Sequence, residues 1–244
     1  MSGHSKWHNI QVKKGKADKT KSGHFTKAAR AIAVAARSGG ADIATNFSLR
    51  LAIDKAKAVN MPKDNIERAI KRGIGELTDE AAMEEIVYEG FGPGGAAFLI
   101  ETITDNKVRT VAELKHLFSA HGGSLGGPGS VQWMFKHQGV TRLDASQKSL
   151  VFSQKSDVEL TLIDAGAEDI IEHEEGIEIR CPVAKLQAVV EIIKSFGVEP
   201  DDFGLEWVAK EIVPVDDETG QKVQTLIGAF HEMEDVREVY VNVG

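Results

Sequence analysis

Glu89-Gly-Phe-Gly-Pro-Gly-Gly95, followed at once by Ala96-Ala-Phe-Leu-Ile-Glu-Thr-Ile-Thr104, is the stretch on which the fold turns. Gly90, Gly92 and Gly95 satisfy GxGxxG, the pattern of a dinucleotide-binding loop. Such a loop works only when it opens a helix, because the pyrophosphate rests on the free N–H groups at the helix N-terminus. Here an apolar, partly β-branched run comes next, which predicts a strand. Ile86–Tyr88 and Ala96–Thr104 joined by a glycine-rich hairpin belong to an antiparallel sheet, so the chain reads as α+β. A GxxxxGK[ST] P-loop is absent from the sequence.

Toward the C-terminus, Thr110-Val-Ala-Glu113 has the form of a capping box and predicts a helix through Val111, Leu114, Leu117 and Phe118. His121-Gly-Gly-Ser-Leu-Gly-Gly-Pro-Gly-Ser130 interrupts it. Two readings of that loop stay open: a flexible connection, or a bare backbone that can approach a phosphate closely. Val131–Phe135 is expected to resume as a strand. From Gly139 a second block reads strand (Val140–Leu143), helix (Ser156–Ala165), hairpin (Ile170–Cys181, turning at Glu174-Glu-Gly176), helix (Val183–Phe196) and an exit toward Trp207, which is the β-α-β-β-α-β order of ferredoxin-like units. Trp207–Val215, Thr219–Met233 and Val236–Val243 then read as strand, helix and strand. The helix turns Val223, Leu226, Ile227 and Phe230 inward.

Toward the N-terminus the character of the chain changes. Residues 1–75 hold eleven Lys and five Arg against four Asp and one Glu, a net of +11, while the remaining 169 residues carry −19. The overall net of −8 conceals this asymmetry. A strongly basic segment points to a polyanion, because Lys and Arg that neutralise phosphates release condensed counterions without reading sequence. Residues 2–23 show no helical or strand period and read as an arm in which Lys6, Lys13, Lys14, Lys16, Lys19 and Lys21 face phosphate and Trp7 anchors or stacks on a base. From His24 a helix places Phe25, Ala29, Ile32 and Ala36 on one face and Lys27, Arg30 and Arg37 on the other. A second helix, about Thr45 to Asn60, presents Arg50 and Lys57 beside Leu49, Ala52, Ile53 and Ala56. The third starts at Pro62 and stops at Gly73; it carries Lys63, Arg68, Lys71 and Arg72, the last three at the end where the helix dipole favours cations.

Gly3-His-Ser-Lys-Trp-His-Asn-Ile10, Phe25-Thr-Lys27, Ala35-Ala-Arg37 and above all Asn60-Met-Pro-Lys-Asp-Asn-Ile-Glu-Arg-Ala-Ile-Lys-Arg-Gly73 resemble the YebC family of transcriptional regulatory proteins, whose mitochondrial relatives are translational activators. Tyr88–Gly95, Thr104-Asp-Asn106, Arg109–Glu113 and Gly129-Ser-Val131 extend the resemblance along the chain, which departs from the family pattern at Phe47 and at Gly127-Pro128. The resemblance implies three domains: a basic helical one at 1–76, an α+β one at 77–136 plus 205–244, and a ferredoxin-like acidic one inserted at 137–204.

These readings predict a non-enzymatic nucleic-acid-binding regulator that grips DNA through residues 1–76. A ribosome-associated translation factor contacting ribosomal RNA is the alternative, and a protein scaffold the third reading. A protein partner is expected on the acidic α+β domains, where Asp157, Glu159, Asp164, Glu168, Asp169, Glu172, Glu174, Glu175 and Glu178 read as solvated and should repel phosphate. An enzyme would need Asp105, Arg109 and His121 to converge. His4 and His8 at i, i+4, with His24 beyond, have no carboxylate or thiolate nearby to complete a metal site. No cofactor is expected. Cys181 stands alone, which excludes an internal disulfide and suits a reducing compartment. Without an apolar run of about 18 residues or a leader at its N-terminus, the chain is expected to be cytoplasmic, monomeric and free of membrane.

Overall fold

The computed structural model describes residues 21–77, 83–152 and 155–244. Contacts divide the described chain into two compact units: Phe135–Lys210, and the residues on either side of that segment.

The first unit begins with three helices, α1 (Lys21–Gly39), α2 (Phe47–Ala58) and α3 (Lys63–Gly73). Ile32, Ala35 and Ala36 of α1 bury against Leu49, Ile53 and Ala56 of α2, and against Met61, Ile66 and Ala69 around α3. Small residues let the helices approach closely. A Cβ added to Gly73 would collide with the Ala33 carbonyl and with the Ala36 side chain, so α3 ends on a residue that α1 requires to be glycine. Asn46 fixes the α1–α2 corner: its Oδ1 accepts the Leu49 N–H at 3.0 Å as N-cap, while Nδ2 donates to the Ala35 and Gly40 carbonyls, both at 2.8 Å. Pro62 is the N-cap of α3, so the helix starts at Lys63, one position later than expected.

After the helices comes a four-stranded sheet of β1 (Glu84–Phe91), β2 (Ala97–Thr104), β3 (Ser124–Leu125) and β8 (Val236–Val241), in the order β3-β1-β2-β8. β1 and β2 form the predicted hairpin, turning at Pro93–Gly95 with Gly94 and Gly95 at φ 68 and 76°. The GxGxxG stretch therefore leads into a strand, and Gly90 and Gly92 are needed because a Cβ there would strike the rings of Phe118 and Phe98. β2 is buried along its whole length, matching its unbroken apolar sequence. On one face Phe98 and Ile100 pack with α4 (Lys107–Ala120) and α8 (Asp217–Glu232), where Phe98, Phe118 and Phe230 meet edge to face with centroids 4.9–6.0 Å apart. Ile103 packs with Val34 of α1 and with Met83.

Phe135–Lys210 forms the second unit: β4 (Phe135–Asp144), α5 (Ala145–Phe152), α6 (Lys155–Ala165), β5 (Asp169–His173), β6 (Gly176–Pro182), α7 (Leu186–Ser195) and β7 (Asp202–Ala209). Its strand order is β5-β6-β4-β7, all antiparallel, the ferredoxin-like arrangement expected. Three local expectations change. Val131–Phe135 is not one strand: Gln132–Met134 form a single 3-10 turn, because the Val131 and Gln132 N–H groups go to the Glu89 carboxylate instead of a ladder. Trp207–Val215 does not continue into the first sheet. Its first residues end β7, paired with β4 from Arg142↔Asp202 to Phe135↔Ala209, and only Val213 bridges Val243. A helix not foreseen, α5, leaves β4 directly.

Candidate nucleic-acid interface

Sixteen residues were expected to face phosphate. Lys6, Trp7, Lys13, Lys14, Lys16 and Lys19 lie outside the described residues, as do His4 and His8, and Lys21 is the first residue of α1. Within residues 40–77 the exposed cations lie on α2 and α3. Arg68, Lys71 and Arg72 stand at i, i+3 and i+4 on α3, the spacing that puts side chains on one helix face about 5–6 Å apart at Cβ. Lys71 is exposed, and the other two are exposed and half-buried. Lys63 pairs with Glu67 at 3.5 Å and Lys57 with Asp54 at 3.6 Å; both are open to solvent and so weakly held. Arg50 donates to the Ile43 and Ala44 carbonyls at 2.6 and 2.8 Å and lies over the Phe47 ring, which makes it a brace for the α1–α2 connection. Lys55, also exposed on α2, was missed.

The other face of α1 is not the free basic surface expected. Arg30 is 8% exposed, and its Nη1 donates to Asp235 Oδ1 at 2.6 Å. Lys27 donates to the His231 carbonyl at 2.6 Å and Arg37 to that of Met83 at 3.0 Å. The amphipathic period was correct, but the partners lie over 200 residues away for Lys27 and Arg30, beyond any local pattern. Arg30 is thus less open to phosphate than its helical face suggested, because a buried charge already paired would have to be uncovered first.

Asp235 collects more than Arg30. Arg109 Nη2 lies 2.9 Å from each of its oxygens, and Thr110 and Thr104 hydroxyls donate to Oδ2 at 2.8 and 3.1 Å. Burial works to raise this carboxyl, but the hydrogen bonds from Arg109 and Thr110 and the charges of Arg30 and Arg109 outweigh it, leaving it below the ordinary aspartate range. The same cluster overturns the capping box. Thr110 is buried inside α4 with its hydroxyl turned to Asp235, and the cap is Asn106, whose Oδ1 accepts the Arg109 N–H at 3.1 Å. Asp105, Arg109 and His121 do not converge. Asp105 pairs with Arg109 at 3.0 Å, whereas His121 closes the other end of α4, its Nδ1 2.9 Å from the Leu117 carbonyl and roughly 18 Å away by helical rise. Beside the cluster a cleft of about 540 Å³ opens between α4 and α8, floored by Leu117, Ala229 and Met233.

The glycine-rich loop after α4 also has its backbone donors engaged. Glu89, 4% exposed, accepts the N–H groups of Gly129, Val131 and Gln132 at 2.5, 2.7 and 2.8 Å. Burial alone would raise Glu89, and these N–H groups more than offset it, so its pKa is lowered. The concavity that sequence reasoning left open to phosphate is filled by the chain's own carboxylate. Among the nine acids called solvated in the second unit, Glu178 is an exception, buried against Arg142 at 2.6 Å. Cys181 is buried, and its thiol is pushed up to about 11 chiefly by that burial. Among the described residues no group of three or more His, Cys, Asp or Glu could hold a metal, and no helix is long and apolar enough to cross a membrane.

Fold and side chains define a mixed α+β protein whose basic N-terminal helices keep part of their charge outward and use the rest to bind their own sheet. The chain belongs to the TACO1/YebC family: residues 5–76 match the family model for the TACO1/YebC protein N-terminal domain, and residues 83–243 that for the TACO1/YebC second and third domain. It is 44% identical to a probable transcriptional regulatory protein of Acidithiobacillus ferrooxidans over 99% of this chain and 94% of that one. It is 45% identical to one of Persephonella marina over 99% and 95%. The crystal structure of a conserved hypothetical protein from Aquifex aeolicus superimposes with a TM-score of 0.83 at 38% identity, covering 94% of this chain and 93% of that chain.

Proposed function

We propose that this protein is a non-enzymatic nucleic-acid-binding regulator whose phosphate-facing surface is the domain formed by residues 1–76. The observation that carries the reading is the Arg68, Lys71 and Arg72 face of α3, within a segment of net charge +11. Relatives named as probable transcriptional regulatory proteins favour DNA as the target. The acidic remainder presents its surfaces to a protein partner and disfavours phosphate elsewhere. A second reading, a translation factor on ribosomal RNA, is favoured by where the cations stand. Helix-turn-helix proteins read bases with the N-terminal residues of the recognition helix, whereas here the cluster is at the C-terminal end of α3. Such a surface grips backbone and shape, which structured RNA offers as readily as duplex DNA.

Fluorescence anisotropy of the full chain with duplex DNA and with structured RNA, repeated across salt, is expected to give a log–log slope equivalent to several phosphate contacts, falling by about one for K71Q. A flat salt response on both ligands would remove both readings. Co-sedimentation with ribosomes, set against footprinting on promoter DNA, separates them.

A further inference from the structure

We infer that Asp235 is a positioning residue for the nucleic-acid interface: through Arg30 it fixes how α1, and with it the cations of α3, stands on the sheet. The inference rests on the reading just proposed. Asp235 occupies the corner between α8 and β8, 3% exposed. Its carboxylate takes Arg30 from α1, Thr104 from β2, and Arg109 and Thr110 from α4, while its carbonyl accepts the Ile103 N–H at 2.8 Å. Three separate elements thus meet on one side chain.

Two features make the contact directional. Lys27 and Arg30, at i and i+3 on α1, reach the last turn of α8 and the corner that follows it, so the helix is held at two points about one turn apart. The apolar contact on this side is small, built from Val34, Met83 and Ile103 with Ala31. The core that α1 shares with α2 and α3 is much larger, and Gly73 lies directly against the Ala33 carbonyl. The three helices therefore move as one body, and what sets their orientation is the ion pair, because apolar packing specifies angle poorly where little of it exists. Arg30 also reaches Glu234 at 3.4 Å and the Ile103 carbonyl at 3.5 Å, which a guanidinium can span and an ammonium cannot.

The test measures affinity and salt slope together, in the full chain, on a structured RNA hairpin and a duplex DNA. R30Q leaves Asp235 paired with Arg109. It is expected to weaken binding about 3- to 10-fold through lost preorganisation while leaving the salt slope unchanged, since Arg30 itself touches no phosphate. D235N should do the same, and R30Q/D235N no more than either alone. A slope lowered by about one in R30Q, or tighter binding in D235N, would make Arg30 a phosphate ligand and overturn the inference; undiminished affinity in R30Q would overturn it too. If D235N does not fold, R30Q decides by itself. A salt slope lowered by about one in K71Q with wild-type behaviour of R30Q defeats the inference and spares the functional reading, whereas a wild-type chain that binds neither ligand defeats the reading.

Discussion

Each unit contains a buried arginine–carboxylate cluster, around Asp235 in the first and Arg142 in the second, and these two are built in opposite ways. In the first, one carboxylate, Asp235, serves two arginines drawn from helices α1 and α4, at sequence separations of 205 and 126. In the second, one arginine, Arg142, serves Glu178 at 2.6 Å, Glu206 at 2.8 Å and Asp202 at 3.6 Å, all on strands that flank its own. Arg142↔Glu178 and Arg142↔Asp202 are register partners, so the cluster follows from strand pairing. Asp235 joins elements that no ladder connects. The Arg142 cluster thus holds strands within a sheet, and the Asp235 cluster holds a helical body to a sheet.

The largest effect should come from R142M, which removes the guanidinium shared by the buried Glu178 and Glu206 and leaves Glu178 with the part-exposed Arg180 at 2.7 Å. Urea unfolding is expected to show a loss of about 3–5 kcal/mol confined to the transition of the second unit. Iodoacetamide should then label Cys181, which burial protects in the wild type. A fall in both transitions would mean that the clusters are not independent. D235N should cost somewhat less, about 2–3 kcal/mol, because Arg109 is already part-exposed and can turn to water and Asp105. Cys181 should stay unlabelled in it.

Acid titration sharpens the contrast. Asp235, Glu178 and Glu89 all have folded pKa values below their ordinary ones. Their contribution is therefore complete above the unfolded carboxylate range of about 4 and is lost as pH falls through the folded values. Stability followed by circular dichroism should be level above about pH 5 and decline below it. D235N should flatten the acid decline of the first unit only, and a variant that steepens it would contradict the assignment. E89Q, which weakens three N–H contacts but keeps the shape, is expected to cost about 1–2 kcal/mol, with faster amide exchange at Gly129, Val131 and Gln132. Unchanged exchange there would mean that the loop holds itself. The smallest effect on folding belongs to K71Q: below about 0.5 kcal/mol by urea, though it should weaken nucleic-acid binding.

Much of this was legible beforehand, for reasons that differ between elements. β2 announced itself because both its faces are covered, so its sequence is apolar throughout. Val223, Leu226, Ile227 and Phe230 marked α8 by period, and all four are buried. The β-α-β-β-α-β order of the second unit could be read because each element is short and bounded by its own turn. Thr110 misled: a threonine three residues before a glutamate satisfies the local rule for a cap, yet Asn106 lies closer to the true helix start and Asp235 claims the hydroxyl. The basic side of α1 misled in the same way, since amphipathicity shows that a face is polar without showing what it faces.

From the residues alone came the α+β class, the ferredoxin-like order, the charge asymmetry and the family resemblance, because period, glycine placement and composition act within a few residues of chain. Only the tertiary structure decided which cations lie on the surface and which are buried: Arg30 is buried against Asp235, whereas Lys71 is exposed. A cation's availability depends on the carboxylate that arrives next to it in space, and for Arg30 that carboxylate is 205 residues distant.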